Sequence, residues 1–110
     1  MFASGNNNPV ATNVAFPANV DGVITVGAVN NQGTIWNYSQ RGVSMDLVAP
    51  SGNINLSGDV RTTDRMGNLG YNNGNYMNNF GGTSAACPQV AGVAALMLSV
   101  RPDLTETQVR

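Results

Sequence analysis

The chain has 110 residues, five arginines, no lysine, six acidic residues and no histidine, for a net charge of −1. That is one small domain at most, without the basic footprint of a nucleic-acid binder. The absence of histidine excludes a Ser-His-Asp triad, a Cys-His pair and a histidine metal ligand within these residues.

Sixteen asparagines and 13 glycines make about a quarter of the chain, a turn-forming composition. Residues 1–5 read as the end of an apolar strand entering a turn, and Asn6-Asn7-Asn8-Pro9 as a loop. No charged segment precedes an apolar one here, so no signal peptide is expected in this stretch. Residues 9–22 are irregular, with a turn at Asp21-Gly22. Residues 23–29 form a nearly continuous β-branched apolar run, which predicts a strand buried on both faces in a parallel sheet. Asn30 to Gly33 end it, and residues 35–39 are short and mixed. Residues 45–50 predict a second short buried strand stopped by Pro50. The Asn/Gly-rich stretch 51–81 is too long for a structureless loop in a compact domain. Short strands are expected at 60–63 and 75–80, with turns at Met66-Gly67 and Asn73-Gly74.

Residues 85–100 predict a helix: twelve of the sixteen are apolar, and Ala, Leu and Met dominate. It is too short for a membrane span, which needs about 20 apolar residues, and so reads as a core helix. Pro88 belongs in a first turn, which puts the start near Ser84. Arg101 suits the negative end of the helix dipole, and Thr105 with Gln108 predicts the cap of a second helix. The lone Cys87 reads as a small buried hydrophobe.

A glycine-bearing turn thus delivers Ser84 to the head of a buried helix. Its hydroxyl can cap that helix. Alternatively it can face a substrate carbonyl, with its own N–H and the positive helix end stabilising an oxyanion.

The segment Gly82-Thr83-Ser84-Ala85-Ala86-Cys87-Pro88-Gln89-Val90-Ala91-Gly92 resembles the nucleophile motif of the subtilisin-like serine proteases, G-T-S-x-A-x-P-x-V-A-G, at every specified position. Ala3-Ser4-Gly5-Asn6 resembles the family segment that ends a strand and presents the oxyanion-hole asparagine. Phe16-Pro17, the 23–29 strand, Asp46-Leu47-Val48-Ala49-Pro50 and residues 104–110 follow in the family's order, so the resemblance covers the whole chain. It implies an α/β fold, the C-terminal portion of a mainly parallel sheet with helices on both faces, and hence residues 1–110 as part of a catalytic domain. It implies Ser84 as nucleophile and Asn6 as oxyanion donor. It places Ala3, Ser4, Gly5, Ala15, Gly82 and Thr83 at the substrate-binding surface.

Three departures stand out. The family's catalytic Asp and His precede the oxyanion asparagine and are expected upstream of Met1. Gln89 stands where many members have His, and Ala85 where Met is common. The resemblance implies endopeptidase activity on peptide or protein substrates outside the cell, with neither nucleic acid nor membrane as partner. The missing N-terminal part of the domain is the implied partner, and the isolated chain is expected to be inactive. No cofactor is expected for the chemistry. A structural calcium or sodium is implied near Asp46, with carbonyls from Asp21 and Val23, although a single carboxylate is a poor set for a cation that takes six or more oxygens. Two other classes remain open: a pseudoprotease or binding module with this fold, and an Asn/Gly-rich structural fragment with little helix.

Overall fold

The structure is a computed structural model that describes residues 1–10, 13–53 and 60–110. The parts of the Asn/Gly-rich stretch at 54–59 and of the irregular stretch at 11–12 lie outside the described residues. Three strands, β1 (Phe2–Ala3), β2 (Thr25–Val29) and β3 (Leu47–Pro50), form a parallel sheet in the order β1-β2-β3. Thr25 pairs with Phe2, and Val26 lies between Ala3 and Leu47. β2 is central, and four of its five residues are fully covered, as its β-branched run predicts. It starts two residues later than the apolar run because the Val23 N–H donates to Val20 O (3.1 Å) in the preceding turn. β3 differs from the buried strand expected: it is the sheet's other edge, Ala49 alone is buried, and Pro50 is its last residue. A proline is tolerated there because a neighbouring donor partner is needed on one side only.

Strands β4 (Val60–Thr63) and β5 (Tyr76–Phe80) form a separate antiparallel ribbon, with Val60 opposite Phe80 and Thr63 opposite Tyr76. A short 3-10 turn, Gly67–Leu69, stands where a simple turn was expected. β5 runs through Gly81-Gly82 into α1 (Thr83–Val100), and α2 (Glu106–Val109) follows. Thr105 is the N-cap of α2, and its N–H donates to Gln108 Oε1 (2.9 Å), as the capping pair predicts.

The core is made of Val26, Ala28, Ala49 and Ala86, with Trp36, Tyr38, Leu47, Cys87 and Val90 packed against it. Small side chains on both partners let the first turn of α1 lie close on β2 and β3. Gln89 fastens the second turn: its Nε2 donates to Pro50 O (2.8 Å) and to Ala85 O (2.7 Å). Beyond that point α1 is not the buried core helix expected. Leu96 is 69% and Val100 79% exposed. Within residues 1–110 the three strands meet only the beginning of this 18-residue helix, and its later apolar residues have no cover. Among the described residues, α1 is the helix laid along the sheet, and Arg110, at the end of α2, donates to Val23 O just ahead of β2. α1 is also long and apolar enough to cross a membrane by length and composition, but its first turn is built into the sheet.

Candidate active site

The site is assembled where the end of β1 meets the head of α1. Gly5 turns the chain at φ +108°, a conformation that favours glycine, and the Gln40 side chain fills the space where a Cβ would stand. The Gly5 N–H donates to Thr83 Oγ1 (3.3 Å). That turn carries Asn6 to α1, where Asn6 Oδ1 accepts both the Thr83 N–H and the Thr83 hydroxyl (2.9 Å each).

Two donors on one oxygen settle which way the Asn6 amide points. Its carbonyl is spent on Thr83, so its NH2 is left over, and it donates to no group among the described residues. Gly82 lies beneath that amide at φ +74°, and a Cβ there would stand 2.9 Å from Asn6 Nδ2. Any side chain at 82 would displace the donor.

Ser84 follows immediately. Its side chain is exposed, whereas Thr83, Ala85 and Ala86 on either side are buried. The helix starts at Thr83 with Gly82 as N-cap and makes no side-chain cap bond. Ser84 is therefore inside the first turn, and the capping use of its hydroxyl is excluded. Its N–H is one of the amides that an α-helix leaves unpaired at its start. The first turn carries no acidic residue, so the positive end of the dipole stays uncompensated for an incoming anion. Pro88 is thereby six residues into the helix, not in its first turn as expected. Lacking an N–H, it cannot bond Ser84 O, the carbonyl four residues back.

The remaining expected residues divide. Ser4 is buried and its hydroxyl has no partner among the described residues, so its side chain does not face a substrate. The Phe2 and Ser4 N–H groups donate to Ile24 O and Val26 O (2.9 Å each). The backbone groups of Ala3 consequently point away from β2. Thr83, 1% exposed, and Gly82, also buried, hold Asn6 and do not line an open surface. Ala15 is not brought to the others. It is exposed in a turn where its carbonyl accepts the Ala18 and Asn19 N–H groups (2.9 and 3.3 Å). Burial pushes the Cys87 thiol up, away from a reactive thiolate, consistent with a packing residue.

Sequence reasoning missed the segment 36–40. Tyr38 O accepts the Asn8 N–H (3.2 Å), Asn37 O accepts from Asn8 Nδ2, and the Gln40 N–H donates to Gly5 O (3.0 Å). No motif or periodicity marks these residues; only their backbone contacts do.

Around Asp46, a cleft of about 380 Å³ is lined by Asp21, Val23 and Arg110 among others. Asp46 Oδ2 accepts the Thr25 N–H (2.7 Å), and Oδ1 lies 3.4 Å from Arg110 Nε. Arg110 Nη2 also donates to Val23 O (3.1 Å). No group of three or more His, Cys, Asp or Glu gathers among the described residues. Asp46 Oδ1 and Val23 O already face the Arg110 guanidinium and Asp46 Oδ2 accepts the Thr25 N–H, so these oxygens do not fit a calcium ion while Arg110 is in place.

The structure thus sets an exposed serine at a helix head, next to the threonine that holds a side-chain amide with its NH2 unspent. The sequence profile of the subtilase family matches residues 1–110, and the chain belongs to that family. It is 44% identical to a calcium-dependent protease of Trichormus variabilis over 121 residues, covering all of this chain and 18% of that protein. It is 36% identical to subtilisin E of Bacillus subtilis, over 98% of this chain and 25% of that protein. Among solved structures it resembles a cold-adapted subtilisin-like serine proteinase (TM-score 0.76, 34% identity, 99% of this chain and 34% of that one). It also resembles a protease of Pseudoalteromonas arctica (TM-score 0.77, 35% identity, 97% and 32%). The chain thus spans about a fifth to a third of the proteins it matches.

Proposed function

We propose that these residues are the nucleophile and oxyanion half of a serine endopeptidase domain, and that an aspartate and a histidine from outside residues 1–110 complete it. The observation that carries this reading is the pair of hydrogen bonds that Thr83 donates to Asn6 Oδ1, which leaves the Asn6 NH2 unspent, with the exposed Ser84 the next residue after Thr83. In the reaction Ser84 Oγ attacks a peptide carbonyl and its proton passes to the histidine. Asn6 Nδ2 and the Ser84 N–H donate to the oxygen as it becomes negative. The same proton then goes to the leaving amine, and water releases the acyl group from Ser84. The substrate backbone pairs at Ala3, whose backbone groups point away from β2.

The substrates are peptides or proteins, met outside the cell, without nucleic acid or membrane as a partner. No cofactor takes part in the chemistry, and the Asp46 carboxylate is paired with Arg110. The 110 residues alone are inactive, because a serine without its base is a weak nucleophile at neutral pH. The test is hydrolysis of a denatured protein by the full-length protein and by its Ser84→Ala variant. The reading expects activity in the first and none above background in the second. Activity that survives Ser84→Ala, or a full-length protein with none, contradicts it.

A further inference from the structure

We infer that Trp36, Tyr38 and Ser51 are positioning residues that brace the two halves of this site against each other; the inference rests on the assignment of Ser84 and Asn6 above. The turn that presents Ser84 does not lie free. The Ser51 hydroxyl donates to Gly82 O (2.6 Å), and the Gly82 N–H points at Gly52 O (3.4 Å). A Cβ at Gly81 would stand 2.8 Å from Gly52 O and 2.9 Å from Asn53 O, so the two stretches of backbone are in direct contact. The position of the nucleophile turn is therefore set by where 51–53 sits.

That segment is fixed in turn from three sides. The Ser51 N–H donates to Val29 O (2.8 Å), Trp36 Nε1–H donates to Ser51 O (2.7 Å) and the Tyr38 hydroxyl donates to Gly52 O (2.6 Å). The two rings stack, with centroids 5.9 Å apart and planes 15° apart, and the Trp36 N–H is anchored on Ala28 O (3.0 Å). The same short segment reaches the other half of the site. Tyr38 O holds the Asn8 N–H, and Gln40 holds Gly5 on either side of Asn6. One rigid stretch, 36–40, thus touches the asparagine loop directly and the nucleophile turn through Ser51 and Gly52. It sets their separation without meeting substrate.

Such a brace acts on catalysis by geometry, and a displacement of about 1 Å can cost on the order of 100-fold in rate. The experiment uses the full-length protein with Tyr38→Phe, Trp36→Phe, Ser51→Ala and Ser51→Thr. Active serine is counted with a fluorophosphonate, and kcat and KM are measured on a chromogenic peptide anilide per titrated site. Tyr38→Phe and Trp36→Phe each keep a ring and lose one donor. The brace predicts that they and Ser51→Ala lower kcat per active site by about 10-fold or more, with KM within about twofold, and that Ser51→Thr restores it. If the variants lose only titratable sites, with kcat per site unchanged, these residues are merely structural and the inference is overturned. A wild-type protein with no titratable serine overturns the assignment of Ser84 instead, and the brace with it.

Discussion

Two neighbouring parts of the stretch from Val60 to Thr83 are built on opposite principles. The β4–β5 ribbon is exposed and Asn-rich, and it is ordered by local contacts: Asp64 accepts the Arg65 and Asn72 N–H groups, and Arg61 lies 4.6 Å from the centre of the Tyr76 ring. The junction of Gly82 and Thr83 is buried and ordered by residues some 77 positions away, Gly5 and Asn6. Local bonds on an exposed ribbon can be lost one at a time. The junction has no slack, since two glycines, one threonine and one asparagine fill it and each occupies the only space the others leave. A site that must place a donor to within a fraction of an ångström is held by the second kind of order.

Substitutions separate the two kinds. Asn6→Leu keeps the approximate size but removes the donor. It should lower kcat of the full-length protein by about 10²–10³-fold with little change in KM; that magnitude comes from the corresponding donor in a subtilisin. Gly82→Ala should be nearly as damaging, because it combines an unfavourable φ with a Cβ against Asn6 Nδ2. Active-site titration should find far fewer reactive serines. Thr83→Val removes the hydroxyl from Asn6 Oδ1 and Gly5 N–H but leaves the Thr83 backbone bond. A fall in kcat of about 10-fold is expected, equivalent to roughly the 1–1.5 kcal/mol of one net hydrogen bond. A smaller loss than Tyr38→Phe would move the weight of the site from the junction to its brace.

The remaining effects are small. Arg110→Gln removes a partly exposed guanidinium from Asp46 and Glu106 and should cost about 1 kcal/mol or less, read as a shift in thermal midpoint. Calcium should then stabilise the variant more than the parent, because the Asp46 carboxylate is released. In the ribbon, backbone N–H groups, that of Asn72 above all, hold the Asp64 carboxyl below its usual range. A group with a lowered folded-state pKa contributes its stabilisation at neutral pH and loses it as pH falls through that lowered value. Amide exchange at Asn72 should therefore accelerate in acid and in Asp64→Asn, while kcat per active serine at neutral pH stays unchanged. A change in kcat would show that the ribbon and the junction are not independent.

Much of this was legible from the residues. The β-branched run gave β2, the Ala/Leu/Met run gave α1, and the pair Thr105 and Gln108 gave the cap of α2. The motif around Ser84 and the segment ending at Asn6 singled out two stretches that the structure brings into contact. Misreadings came where the outcome depends on what surrounds an element. Residues 45–50 look like a buried strand, but the element formed there is an edge. α1 looks like a core helix, but within residues 1–110 only its beginning is covered. The helix start is one residue earlier than Pro88 suggested, which moved Ser84 off the cap. The roles of Thr83, Ser51, Trp36 and Tyr38 were invisible because they act on backbone N–H and carbonyl groups 14 to 78 residues away, and no local pattern encodes such a partner.

The central claim is that Ser84, held beside the Asn6 amide, is a nucleophile once its base is supplied. The most direct measurement is to treat the full-length protein with a fluorophosphonate and locate the adduct by peptide mass spectrometry. The account predicts a single phosphonylated residue, Ser84, with labelling slowed strongly in Asn6→Leu and absent from the isolated 110 residues. An adduct elsewhere, or labelling of Ser84 at the same rate without the Asn6 amide, would contradict it.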